Sequence, residues 1–134
     1  MPRPLRATLA AQAVVLLGLG VLLFARPKSD VWPWTLTPLT GRATAAWLLG
    51  LGTAAFLMAR EDDLARCRGP LLAFGLLPVL ELVALARYGS TLDWSGNGVW
   101  PFLVFLISML VVGLFGSLAA RADGLAQGQS LAPR

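Results

Sequence analysis

Apolar residues fall along this chain in four long runs separated by short polar connections. The first spans residues 5–25 and stops at Arg26-Pro27, where a charge and a proline both oppose another helical turn. The second spans 41–59 and ends in Arg60-Glu61-Asp62-Asp63. The third spans 70–88, with Pro70 suited to a first helical turn and Gly89 to a stop. The fourth spans 101–120 and is closed by Arg121. Runs of about 18–21 residues cover ~30 Å of hydrocarbon at about 1.5 Å per residue. The pattern predicts an all-α membrane protein, a four-transmembrane-helix bundle forming a single membrane domain over 1–134. Outer loops fall at 26–40 and 89–100, a cytoplasmic loop at 60–69 and a C-terminal tail at 121–134.

Arg3 and Arg6 give the first run a basic start, as in a secretory leader. Its apolar stretch is too long for one, however, and it ends without a small-x-small cleavage site. It is read as a retained transmembrane helix.

Composition agrees with a bilayer as solvent. Hydrophobic residues make up 57% of the chain and charged ones 13%, too few charges to cover so much apolar surface in water. The net charge of +4 does not point to nucleic acid, because the arginines sit at the ends of apolar runs. The N-terminus (Arg3, Arg6), the middle loop (Arg60, Arg66, Arg68) and the tail (Arg121, Arg134) hold seven cations; Arg26, Lys28, Arg42 and Arg87 lie on the other side. The positive-inside rule then puts both termini in the cytoplasm.

Tryptophan divides the same way. Trp32, Trp34, Trp94 and Trp100 lie in the outer loops and Trp47 near the outer start of the second run. Indole favours an interface because its ring is apolar and its N–H wants a partner. A one-sided set suggests an outer cap as well as a belt. Within the first outer loop, Pro33 and Pro38 oppose a regular helix, so a short interfacial or re-entrant segment is expected, with Thr40 capping the second helix. An anchored linker without a ligand is the plainer alternative.

Two stretches echo each other. Leu16-Leu17-Gly18-Leu19-Gly20 matches Leu48-Leu49-Gly50-Leu51-Gly52, and Phe24 matches Phe56 at the same offset. Either these mark an inverted pair, or two Leu/Gly-rich helices simply pack closely at small residues. Gly113 and Gly116, beside Ser108 and Ser117, give a further small-residue face.

Glu81 is the one acid well inside an apolar run. A charge at that depth costs about 2.5–3.5 kcal/mol on insertion scales, so it should face the bundle or a cavity. Pro78, three residues earlier, removes a backbone donor and is expected to kink the helix. Arg42 is the expected partner of Glu81, reaching inward along its stem. Tyr88, seven residues on, shares the face of Glu81 and extends a polar track outward, and Asp93 follows in the outer loop. The alternative is that Glu81 is only a structural group, satisfied by Arg42 or by a hydroxyl. Glu61-Asp62-Asp63 reads as a solvated turn with local ion pairs, although a cation could bind there.

Histidine is absent and Cys67 is the sole cysteine, which removes His-based metal sites, Ser-His triads and CxxC redox pairs. No HExxH, GxSxG or Walker loop occurs. No enzymatic activity, metal or cofactor is expected.

The stretch Trp32-Pro33-Trp34-Thr35-Leu36-Thr37-Pro38-Leu39-Thr40-Gly41-Arg42, followed by Ala46-Trp47-Leu48-Leu49-Gly50-Leu51-Gly52, resembles an uncharacterised family of small four-helix integral membrane proteins from actinobacteria and related bacteria. Arg87-Tyr88 and Asp93-Trp94 add to the likeness, which covers nearly the whole chain. The resemblance implies an architecture and a bacterial cytoplasmic membrane, but no activity. Small multidrug-resistance transporters are similar in size and helix count. Their essential acid lies in the first helix, which here carries none, and Glu81 would have to replace it.

The leading expectation is therefore a non-enzymatic accessory or scaffold component of a membrane assembly, partnered by lipid and by another membrane protein or a second copy. The rival is a small transporter or lipophilic or ionic ligand binder, built on Glu81 under the tryptophan cap.

Overall fold

A computed structural model of the chain describes residues 1–27, 32–92, 94–95 and 98–130. It contains α1 (Arg3–Ala25), α2 (Pro38–Arg60), α3 (Arg68–Tyr88) and α4 (Val99–Ser130), with a single 3-10 turn at Gly89–Thr91 after α3. No strand occurs among the described residues. All four helices are long and apolar enough to cross a membrane, the fourth over Val99–Ala122.

All four helices begin two or three residues before the apolar runs do, and the cause is clearest in α2. Its cap is Thr37, with Pro38 in the first turn and Thr40 at the third helical position. Thr37 Oγ1 accepts from the Thr40 backbone N–H at 3.2 Å, and Thr40 Oγ1 accepts from the Thr37 N–H at 2.9 Å. This reciprocal box satisfies two orphan donors. Thr40 is thus a partner of the cap rather than the cap itself. Pro38 starts the helix because its missing N–H has no intrahelical partner there anyway. The other departure is α4, which runs through most of the expected tail to Ser130. Arg121 ends the apolar run, but the Arg, Ala, Leu and Gln that follow are good helix formers, so the helix continues.

The helices form two hairpins. α1 packs along α2 and α3 along α4, whereas α1 touches α4 and α2 touches α3 only sparsely. Glycine sets both pairings. A Cβ on Gly20 would lie 2.8 Å from Leu49 Cγ, and one on Gly52 would lie 2.8 Å from Leu17 Cγ. In the second hairpin, Gly75 and Gly113 bring the backbones themselves together: a Cβ on Gly75 would stand 3.1 Å from Gly113 Cα. Leu71 then covers Gly116 one turn away. These registers make both hairpins antiparallel.

The hairpins join at the end carrying the N-terminus, here the base. Leu9, Ala13, Leu16, Ala55, Met58, Leu71, Phe74, Met109 and Val112 form one buried cluster there. Gln12 of α1 is also buried and donates to Ser108 Oγ of α4 at 3.0 Å, one of few polar links between the hairpins. The acidic turn belongs to this base. Arg6 pairs with Asp62, the Met1 amine donates to the Asp62 carbonyl at 2.9 Å, and Asp63 accepts from Arg66 at 3.3 Å. Among the described residues no cluster of metal-ligating side chains forms.

Candidate functional site

Toward the opposite end, the top, the hairpins part around a half-open cavity of about 960 Å³. Its walls follow from helical phase. α3 contributes Leu77, Leu80, Glu81 and Ala84, spaced three and four residues apart on one face. Thr44, Trp47, Leu48 and Leu51 come from α2, and Val15, Leu16 and Leu19 from α1. Pro101, Phe102, Phe105, Leu106 and Met109 complete it from α4. Leu16 and Met109, each 1% exposed, are also members of the base cluster and close the floor.

The roof is the segment that follows α1. Trp32 and Trp34 pack edge-on at 5.3 Å between ring centroids, and Phe102 meets them at 5.4 and 5.7 Å. Offset and edge-on geometries of this kind suit the ring quadrupole. Leu36 is buried beneath them with Leu23 and Ala45. Gly41 lets the chain cross here, because a Cβ on it would run into the Pro27 carbonyl. The Trp-Pro-Trp segment is thus folded down onto the bundle.

Two polar groups that line this apolar chamber stand out among the described residues. Glu81 makes no hydrogen bond or ion pair with any described residue. The Trp32 Nε1–H is fully buried and has no acceptor. A buried donor is nearly always satisfied, so the Trp32 indole calls for an explanation; Glu81 is half-buried and keeps part of its surface open.

The other residues singled out from the sequence divide clearly. Arg42 does not reach Glu81. At ~100° per residue it lies about 140–240° around α2 from the lining residues Thr44, Trp47, Leu48 and Leu51, on the exposed far face. The expected Arg42–Glu81 pair is therefore not formed, because the phase of α2 turns the arginine away. Tyr88 follows Glu81 on the same face of α3 but is exposed and does not line the cavity. Asp93 lies outside the described residues. Pro78 is buried inside α3, which runs on as one helix to Tyr88. Of the tryptophans, Trp32 and Trp34 roof the cavity and Trp47 stands at its side. Trp94 is exposed and its Nε1 donates to the Gly89 carbonyl at 2.8 Å, while Trp100 is exposed on α4.

Sequence reasoning missed three contributors. Phe102 completes the aromatic roof, Met109 forms the floor, and Gln12 ties the hairpins below it. Gln12 alone carried a signal: it is a polar residue within an apolar run, the same criterion that picked out Glu81.

Cys67 precedes α3 at the base and is buried. Burial pushes its thiol pKa up, and the negative charges of Glu61 and Asp63 push it further, against the Met1 amine. It is kept protonated and is not part of the cavity lining.

No family model, curated protein or solved structure matches the chain.

Proposed function

We propose that this chain is a four-span protein of a bacterial cytoplasmic membrane, with both termini cytoplasmic, that binds a lipophilic small molecule between its two hairpins. Membrane insertion is supported by the four apolar helices and by the large side chains they turn outward, among them Val14, Leu57, Leu76, Val104, Phe115 and Leu118. Contiguous exposed apolar surface on this scale is unstable in water and neutral in lipid. The distribution of arginines supports the orientation. The Trp32–Gly52 resemblance supports the bacterial setting.

The observation that carries the binding reading is the cavity. At about 960 Å³ it lies at the upper end of the range for small-molecule sites, and it is apolar with a few polar groups turned inward. A bundle that served only as a scaffold would gain more by packing that space. The test uses the protein in nanodiscs with Trp47, Trp94 and Trp100 replaced by Phe, so that fluorescence reports the roof. A spin-labelled sixteen-carbon alcohol is expected to quench Trp32 and Trp34 saturably, and Leu48→Phe, which fills the chamber, to weaken that quenching. Quenching that rises linearly with probe, as in lipid alone, overturns the reading.

The accessory role keeps one supporting observation. Ala46, Trp47, Gly50 and Leu51 form a shallow groove of about 330 Å³ on α2, where a small residue leaves room for a neighbouring surface. Recovery of a stable membrane-protein partner in mild detergent, lost on Gly50→Phe, is the expected result for that reading.

A further inference from the structure

The chamber is closed above and below but not at its side. Leu16 and Met109 seal the floor, and the Trp32–Trp34–Phe102 cluster covers the roof. α2 and α3 barely touch, and the lining residues that flank the gap between them, Trp47 and Leu80, are 71% and 61% exposed. The surface between them faces the space that lipid would occupy. Entry by this route needs no passage through water and no displacement of the roof.

Among the described lining residues Glu81 is the one charged side chain. Glu81 stands on α3 seven residues, about 10 Å, below Tyr88, and makes no ion pair with any described residue, Arg42 being on the far side of α2. An isolated carboxylate in an apolar chamber is costly, and a ligand that brings a cation removes that cost. A carboxylate ligand would meet repulsion from Glu81, and a neutral one would leave it uncompensated.

We propose that the ligand is a single-chain amphiphile with a positively charged head, drawn from the membrane leaflet on the tryptophan side through the α2–α3 gap, with its head at Glu81 and its chain against the apolar lining. The proposal rests on the ligand-binding reading above and is narrower than it. It is tested in the same nanodiscs and the same tryptophan-reduced protein, with three spin-labelled sixteen-carbon probes: the ammonium, the alcohol and the carboxylate. The ammonium is expected to saturate at a concentration at least about tenfold below the alcohol, and the carboxylate above both. Glu81→Gln should remove the preference, bringing the ammonium and the alcohol to the same level. Equal saturation by all three probes overturns the charge preference yet leaves the cavity a binding site; absence of saturation by any probe overturns both. For the route, Trp47→Cys and Leu80→Cys are bridged with a bifunctional maleimide, the buried Cys67 being out of reach. The bridge should slow ammonium binding at least about tenfold relative to either single cysteine carrying the same reagent. An unchanged rate overturns side entry.

Discussion

Leu17 of α1 lies across Gly52 of α2, with its Cγ 2.8 Å from where a Cβ would stand, and Leu49 lies across Gly20 at the same distance. In each stretch the second residue of Leu-Leu-Gly-Leu-Gly covers the fifth residue of the other. The echo is therefore an inverted pair in geometry: two short copies of one pattern, run antiparallel, dock on each other. The third residues, Gly18 and Gly50, face open space. Sequence alone left the inverted pair and simple close packing as alternatives, and the reciprocal contacts show that both hold.

This separates the glycines into two classes with opposite mutational signs. Gly113→Ala drives a methyl group into the backbone of α3 at Gly75, where no side chain can rotate aside. Overpacking of this kind costs about 1–3 kcal/mol. Gly18→Ala and Gly50→Ala meet nothing within 4 Å and replace a poor helix former, for a gain of up to about 1 kcal/mol. Unfolding titrations in mixed micelles should place Gly113→Ala below the parent and the other two at or above it. Equal midpoints would refute the close approach.

What the sequence could reveal followed from periodicity and depth. Run length gave four helices, and the isolated acid gave Glu81, because each is a local property of one segment. The Arg42 pairing failed because it depended on the rotational phase of α2, which is fixed by where Gly41, Ala45 and Gly52 bury. The cavity was illegible for a related reason. Leu48, Leu77 and Phe105 are ordinary apolar residues, and only the separation of the hairpins above Leu16 and Met109 turns them into walls.

The link between Gln12 and Ser108 predicts an asymmetry between its two ends. Ser108→Ala leaves a buried amide with neither atom paired, since Gln12 Oε1 is already without a partner. Leaving a buried polar group unsatisfied costs about 1–3 kcal/mol. Gln12→Leu removes the amide altogether, and polar links between membrane helices average only ~0.6 kcal/mol. Ser108→Ala should therefore lower the unfolding midpoint more than Gln12→Leu. The reverse order would mean that Gln12 has another acceptor.

Cys67 predicts a dependence on pH. Its folded pKa is raised, first by burial and then by Glu61 and Asp63, so the native state holds its proton where the unfolded chain, near pH ~8.5, begins to lose it. The stability that this preference contributes is complete below the unfolded pKa and declines as pH rises toward the folded value. Maleimide should label the native protein slowly at pH 7.5 and the unfolded protein fast. Between pH 8 and 10 the parent should lose more stability than Cys67→Ala. Parallel pH profiles would place the thiolate in both states equally.

The orphaned indole N–H of Trp32 carries the last prediction. It is buried among Trp34, Phe102 and the cavity wall without an acceptor, which taxes the empty protein by about 1–3 kcal/mol. Trp32→Phe keeps an aromatic ring in the roof and discards the donor. With the unsatisfied donor gone, the empty variant should resist thermal unfolding better than the parent. It should also bind the sixteen-carbon alcohol more weakly, because the alcohol oxygen is the missing acceptor. Stability and affinity then move in opposite directions on one substitution, whereas a purely structural roof would lose both together through the poorer packing of the smaller ring. A variant that is less stable and binds the alcohol as well as the parent would remove Trp32 from the site.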